Sequence, residues 1–368
     1  VCAVESVDIF KDLAYEFISQ IFREISMSGR FSGGLAMTSI LACLFFGAIS
    51  GSSPATVVAI GSIMLPALIR EGYGERFSIG LITSSGSLGI LIPPSIPMIL
   101  YALMMNVSVA EMFLAGFLPG VFIGTCLMVY AFLSGRKYGW RSEERYSLKD
   151  AVRIMREGLW SLFLPVLVLG GIYGGVFTPT EAAAVSVVYA LVVELFIYRE
   201  LTFRRLYKVC RDAAVLSGCL LFILSCAMTF IWILTLEQIP VKLADMIIST
   251  IDSKWVFLLA INGALFLIGA LMDIVTAIIV ISPILIETLN RYEIDFIHYG
   301  IIMIVNIEAG FMTPPFGLNL FVSMAIAKRS LVDVSKAILP FIILFFGCLL
   351  AITYIPEIST FLPRLLLR

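Results

Sequence analysis

Gly310-Phe311-Met312-Thr313-Pro314-Pro315 decides how this chain folds, because the same device stands earlier as Gly89-Ile90-Leu91-Ile92-Pro93-Pro94. The two glycines lie 221 residues apart (310 − 89), and that offset also carries Pro119 onto Pro340. Each Gly-x-x-x-Pro-Pro interrupts an apolar run that would otherwise be one membrane-spanning helix. A proline pair removes backbone donors and clashes with the preceding turn, so the helix breaks there. In lipid, a broken helix is tolerated only where it lines a cavity or is buried in protein. Interrupted apolar segments at matching positions of two halves point to the binding site of a secondary transporter.

Working outward, the 368 residues are 60% hydrophobic and 14% charged, with mean hydropathy +1.03. Soluble domains carry about 25% charged residues. Apolar runs long enough for a hydrocarbon core of ~30 Å recur along the chain, which predicts an all-α polytopic membrane protein with the bilayer as its solvent. A net charge of −1 excludes a nucleic-acid footprint. The seven cysteines form no CxxC pair and read as small apolar packing residues. One histidine, His298, argues against a histidine-based metal site, and no cofactor is expected. The first residue is Val1, with no signal peptide before the body, which suggests a fragment.

The charge and hydropathy pattern divides the chain into four parts. Residues 1–30 hold an amphipathic helix over 8–25, with Phe10, Leu13, Phe17 and Ile21 on one stripe. Residues 31–134 form the first repeat: a re-entrant hairpin over 31–70 broken at Ser50–Pro54, a broken helix over 77–105, and a span at 112–134. Residues 135–253 hold a basic loop at 135–158, spans at 159–177, 181–198 and 213–236, and a loop at 237–254. Residues 254–368 form the second repeat: a hairpin over 255–289 broken near Met272-Asp273, a broken helix over 299–327, a short loop with Lys328, Arg329 and Lys336, and a last span at 337–355. Loop 135–158 carries seven Lys/Arg against four Asp/Glu, and loop 199–212 five against two, whereas loop 237–254 carries two against three. Placing the basic loops in the cytoplasm satisfies every parity. The two repeats then run in opposite directions, an inverted-topology repeat suited to alternating access. Three spans precede the second hairpin but only about 30 residues precede the first, so the first half looks short of a scaffold.

The break points carry the chemistry. Ser53 with Pro54, Thr313 with Pro314, Asp273, and Pro94-Ser95 all read as openings of half-helices. Four such N-termini near the midplane would offer N–H groups to an anion. Unwound carbonyls and hydroxyls there would offer oxygen ligands to a small hard cation, for which sodium is the natural candidate. The competing reading is local: Ser and Thr in membrane helices bond their own backbone, and Gly lets helices pack closely. Asp273 and Glu308 are acidic residues inside apolar segments, expensive in lipid and functional by default. Thr178-Pro179-Thr180-Glu181 reads as a capping box. A membrane-embedded serine hydrolase built on Gly47-Ala48-Ile49-Ser50-Gly51 lacks a base, because His298 falls in an outer loop.

These residues resemble a known family. Gly33-Gly34-Leu35-Ala36, Ile49-Ser50-Gly51-Ser52-Ser53-Pro54-Ala55-Thr56, Ile92-Pro93-Pro94-Ser95-Ile96-Pro97 and Leu114-Ala115-Gly116 are similar to the large membrane subunit of tripartite ATP-independent periplasmic (TRAP) transporters. So are Phe177-Thr178-Pro179-Thr180-Glu181-Ala182, Thr313-Pro314-Pro315-Phe316-Gly317-Leu318-Asn319-Leu320 and Tyr354-Ile355-Pro356. The resemblance covers residues 28–363 and implies a sodium-coupled, elevator-type importer of organic acids, including dicarboxylates, in the bacterial inner membrane. It implies two partners, a small membrane subunit and a periplasmic substrate-binding protein that hands over the carboxylate. One sodium would lie among Ser50, Gly51, Ser52, Gly89, Ile92 and Pro94, and the other among Gly269, Asp273, Gly310 and Thr313. Ser53, Thr56, Ser95 and Glu181 become candidates for the substrate path. Thr56 departs from the family pattern, in which many members carry aspartate after the serine-rich tip. A stand-alone organic-anion transporter of similar fold is the alternative.

Overall fold

The computed structural model describes residues 33–140, 160, 163–199 and 202–367. The amphipathic segment expected at 8–25 and most of the loop 135–158 lie outside them. Every described element is helical.

The first repeat contains α1 (Gly34–Ser50) and α2 (Ser53–Arg70), which form the hairpin. Next come α3 (Glu75–Gly86), prolonged by a 3-10 turn at Ser87–Ile90, then α4 (Ile96–Met105) and α5 (Val109–Tyr138). The middle arm holds α6 (Phe163–Tyr173), α7 (Pro179–Val192, continued by a π turn to Tyr198), α8 (Phe203–Leu236) and α9 (Ile239–Thr250). The second repeat holds α10 (Lys254–Leu271) and α11 (Ile274–Arg291), α12 (Phe296–Phe311) and α13 (Leu318–Ala327), then α14 (Leu331–Tyr354) and the terminal α15 (Glu357–Leu366).

The 221-residue offset governs the backbone of the hairpins as well as the motifs, and in the half-helices past the Pro-Pro breaks it becomes 222 (318 − 96). Ser50, where α1 ends, maps onto Leu271, where α10 ends; Ser53 and Arg70, which bound α2, map onto Ile274 and Arg291, which bound α11. Both half-helices α4 and α13 stop on a left-handed residue, Asn106 and Lys328, each with φ of 53°. The next helix is capped the same way in each repeat. Ser108 Oγ accepts the Glu111 N–H (3.3 Å) and Ser330 Oγ accepts the Asp333 N–H (3.3 Å). Such caps satisfy N–H groups that the first turn of a helix leaves free. The Pro93–Pro94 and Pro314–Pro315 peptide bonds are both cis.

The two halves pack by exchanging parts. The return arm α2 lies against the half-helix α13 of the other repeat, and α11 lies against α4. Likewise α3 packs on α14, and α12 packs on α5. Reciprocal pairing of this kind is what a two-fold relation between the halves produces. It buries α12 along its whole length, from Ile297 to Phe311. Each half-helix of 10 residues spans ~15 Å, half of a hydrocarbon core, so neither α4 nor α13 crosses alone.

Several boundaries differ from the sequence expectation. The outer loop expected at 237–254 is the helix α9, and its Asp245 pairs with Arg291 of α11. Its apolar residues recur at helical spacing, and α9 packs against α11. The loop expected at 199–212 is helical from Phe203, and Lys336 lies inside α14 rather than in the preceding loop. The short helix α15, which follows Pro356 and packs on α5, was not expected. Pro119 and Pro340 sit inside α5 and α14 without ending them, because neighbouring helices supply the packing.

Candidate functional site

The first hairpin tip is a knot of oxygen atoms. Gly51 ends α1 in the left-handed region (φ 59°), which turns the chain sharply enough to bring Ser52 back beside Ser50. Ser50 Oγ stands 3.0 Å from Thr56 Oγ1 and 3.3 Å from the Ser52 carbonyl oxygen. Thr56 Oγ1 donates to that same carbonyl at 2.8 Å. The tip sits against the broken helix through glycines. A Cβ on Gly47 would lie 2.6 Å from Gly89 Cα, and one on Gly89 would lie 2.4 Å from Thr56 Oγ1. A Cβ on Gly51 would strike the Pro94 carbonyl oxygen at 2.7 Å. Ser50, Gly51, Ser52, Thr56, Gly89 and Pro94 therefore meet in one place. Ile92 is buried beside them in the same break, its side chain turned toward Gly120 of α5.

Neutral hydroxyl and carbonyl oxygens around a cradle that only glycine fits are the donor set of a small hard cation. The first tip fits sodium on that ground.

The second tip is built on the same backbone with different chemistry. Gly269 and Gly310 touch directly, for a Cβ on Gly310 would lie 2.4 Å from the Gly269 carbonyl carbon. The Ala270 carbonyl oxygen accepts the Phe316 N–H at 3.2 Å, closing the hairpin against the broken helix. Asp273 caps α11 as expected, one carboxylate oxygen accepting the Thr276 N–H (3.0 Å) and the other the Thr276 hydroxyl. It is exposed, and no hydrogen bond joins it to Gly310 or Thr313. Thr313 Oγ1 donates instead to the Ala309 carbonyl oxygen at 2.9 Å. The oxygens expected to hold a second cation are thus near one another in the fold but turned to local partners, and this tip does not offer a formed cage.

Two of the expected caps are corrected. Ser52, not Ser53, is the capping position of α2, and it makes no side-chain cap bond. Thr313 caps nothing, because the Pro314-Pro315 turn delays α13 until Leu318, with Gly317 before it. Ser95 does hold the capping position of α4, but its hydroxyl is buried without a hydrogen-bond partner among the described residues. The Thr178–Glu181 capping box is present in full, with Thr178 Oγ1 accepting the Glu181 N–H and Glu181 Oε2 accepting the Thr178 N–H (2.8 Å).

Ser53 is freed from capping for another task. Its hydroxyl donates to Glu308 Oε2 at 3.0 Å, and Asn319 Nδ2 donates to Glu308 Oε1 at 2.6 Å and to Ser87 Oγ at 3.1 Å. All four residues are completely buried. Among the described residues no ion pair reaches Glu308. Ser87 and Asn319 were not singled out by sequence reasoning, although one signal existed: Ser87 is the residue that the 221 offset carries onto Glu308. Of the expected substrate-path residues, Ser53, Thr56 and Ser95 are wholly buried in this core, whereas Glu181 is exposed on α7 and engaged by Thr178.

His298 is held by Ser359 Oγ (2.7 Å) and the Thr353 carbonyl oxygen (3.2 Å), while the Ser50 hydroxyl is bound within the first tip.

Two hairpins and two broken helices in reciprocal packing define a membrane protein of the secondary-transporter class. The chain matches, over residues 16–358, the family described as tripartite ATP-independent periplasmic transporter, DctM component, and it belongs to that family. It is 43% identical over 336 residues to the C4-dicarboxylate TRAP transporter large permease protein of Pseudomonas aeruginosa, covering 91% of this chain and 79% of that protein. It is 40% identical to the isethionate TRAP transporter permease of Oleidesulfovibrio alaskensis, covering 91% of this chain but about half (53%) of that protein. It is 34% identical to the ectoine/5-hydroxyectoine large permease of Ruegeria pomeroyi, covering 92% and 79% respectively. These relatives are transporter subunits of the inner membrane, not enzymes, and seven described helices of this chain are long and apolar enough to span a bilayer.

Proposed function

We propose that this chain is the permease core of a sodium-coupled TRAP importer for an organic acid. The observation that carries the reading is the first hairpin tip, where Ser50, Ser52 and Thr56 gather neutral oxygens against Gly89. Those residues would hold the coupling ion, and the ion supplies positive charge at the closed core. Gly47, Gly51 and Gly89 keep the first hairpin tip and the first broken helix in van der Waals contact, so that displacing the tip displaces the break.

The substrate path carries no lysine or arginine at its breaks. An organic anion would therefore be met by helix N-termini, such as the one opened by Ser95, whose hydroxyl has no partner among the described residues. The substrates named for the relatives differ, with a dicarboxylate and a sulfonate among those 40–43% identical. A carboxylate or sulfonate anion delivered by a periplasmic binding protein is the reading these names favour.

The middle arm suits a scaffold. The span Phe203–Leu236 buries almost none of its residues in the chain, and Phe203, Leu221, Phe222 and Trp232 are exposed. Such a surface belongs against lipid and a small membrane subunit. In an elevator motion the two hairpins and broken helices would move as one body against it.

Uptake by proteoliposomes holding the complete transporter tests this reading. Accumulation driven by an inward sodium gradient, requiring the binding protein, is expected. Uptake indifferent to sodium overturns the coupling, and uptake without the binding protein favours the stand-alone transporter.

A further inference from the structure

Glu308 belongs to neither proposed ion site, yet it is tied to the neighbourhoods of both. Through Ser53 it holds the residue next to Ser52, whose carbonyl oxygen is the hub of the first tip. Through the backbone it stands two residues before Gly310, which rests on Gly269 and Ala270 of the second hairpin. Asn319 of α13 holds its other oxygen and bonds Ser87, so the same network returns to the first broken helix. Ser87 is the residue that the internal repeat carries onto Glu308, and it flanks the same carboxyl. Two equivalent positions that share a partner lie close to the two-fold axis relating the halves. A group on that axis lies between the two hairpins, tied to the first by a side-chain hydrogen bond and to the second through its own backbone.

Burial makes the attachment stiff. A wholly buried carboxyl leaves its polar partners no water to turn to, so breaking the Ser53 bond strands two groups at once. Movement of Ser53 when the first tip closes around an ion is then transmitted to Glu308 more cheaply than the bond is lost. The charged groups of the helices packed on α12 stand toward their ends: Lys254 on α10, Glu111, Arg136 and Lys137 on α5, Glu287 and Arg291 on α11, Asp333 and Lys336 on α14, Glu357 and Arg364 on α15. None of them competes for the carboxyl.

We propose that Glu308 is a positioning residue that couples the two hairpins, so that cation binding at the first tip orders the Gly269–Gly310 junction of the second. The proposal rests on the sodium reading of the first tip given above. Linkage requires the coupling to be reciprocal, and such couplings typically amount to about 5- to 150-fold in an equilibrium.

Hydrogen–deuterium exchange of the complete transporter in lipid nanodiscs, with sodium against equal potassium, tests it. The comparison is made in an Asp273→Asn background, which removes the carboxylate charge from the second tip. Sodium is expected to slow exchange about fivefold or more in residues 50–56 and also in residues 269–276 and 308–316. Glu308→Ala and Ser53→Ala should each keep protection in the first stretch and lose it in the other two. Glu308→Gln, which retains an oxygen for Ser53 and an amide of the same length, should restore it. Protection of the second repeat that survives both Glu308→Ala and Ser53→Ala overturns the coupling, as does its absence before those changes. Sodium protection at no stretch overturns the first-tip reading together with the coupling, so the two failures are told apart.

Discussion

The two hairpin tips share a backbone and divide the chemistry between them. At the first, Gly51 turns the chain so that Ser50, Ser52 and Thr56 face one another in a half-buried cluster. At the second, Asp273 takes the matching place, is exposed, and spends both carboxylate oxygens on Thr276. The glycine contacts beneath them are the same device, Gly47 on Gly89 in one half and Gly269 on Gly310 in the other. Close backbone approach is therefore what both halves need, while the ligating groups are free to diverge. A neutral hydroxyl cluster is stable when buried because its members satisfy one another. A carboxylate in the same place costs too much to bury unpaired, so in this conformation it faces outward.

The sharpest way to break this comparison is to add atoms where hairpin and broken helix touch within each half. Gly310→Ala would set a Cβ 2.4 Å from backbone of Gly269, which cannot yield, whereas Gly89→Ala meets the Thr56 hydroxyl. We expect Gly310→Ala to cost on the order of 3 kcal/mol and Gly89→Ala to cost less, with Thr56→Ala restoring much of the latter. Unfolding midpoints in detergent measure both, and equal losses would mean that the Thr56 hydroxyl yields no more easily than the Gly269 backbone. Glu308→Ala comes next, at about 2 kcal/mol, because it strands the Ser53 hydroxyl and an Asn319 N–H in the core. A loss no greater than that of Ser87→Ala would place the burden of the network elsewhere.

A smaller effect separates the tips themselves. Asp273→Ala should cost about 1 kcal/mol through loss of the α11 cap, in sodium and potassium alike. Smallest of all is Arg329→Ala, which breaks the exposed pair with Glu75 (2.7 Å) across the two repeats. At physiological salt we expect no measurable change in the midpoint. A clear drop would show that the surface clasp, and not only the buried packing of α2 on α13 and α4 on α11, holds the halves together.

Much of this arrangement was legible in the sequence because glycine and proline act locally. The repeated Gly-x-x-x-Pro-Pro and the Ser50–Pro54 tip fix where helices stop, whatever surrounds them. Asp273 and the Thr178–Glu181 box were equally readable, since a cap depends on residues within one turn. What could not be read was which hydroxyl would be claimed from afar. Ser53 and Thr313 look like caps in sequence, but Ser53 is drawn to Glu308, 255 residues away, and Thr313 back-bonds to Ala309. The helix α9 escaped notice because its charges resemble those of a loop when its packing partner α11 is unknown. Asn319 was visible only as part of a motif, and its role depends on a fold that brings α13 onto Ser87.

The central claim is that the first tip is a sodium site, and the thermal midpoint of the complete transporter in sodium and in equal potassium tests it most directly. A ligand that binds only the folded state adds about 2.7 kcal/mol of stability at a hundredfold excess over its dissociation constant. The account predicts a sodium-specific rise that Ser50→Ala removes while leaving the potassium midpoint nearly unchanged. The same rise in Ser50→Ala, or equal midpoints in the two salts before any substitution, would contradict it.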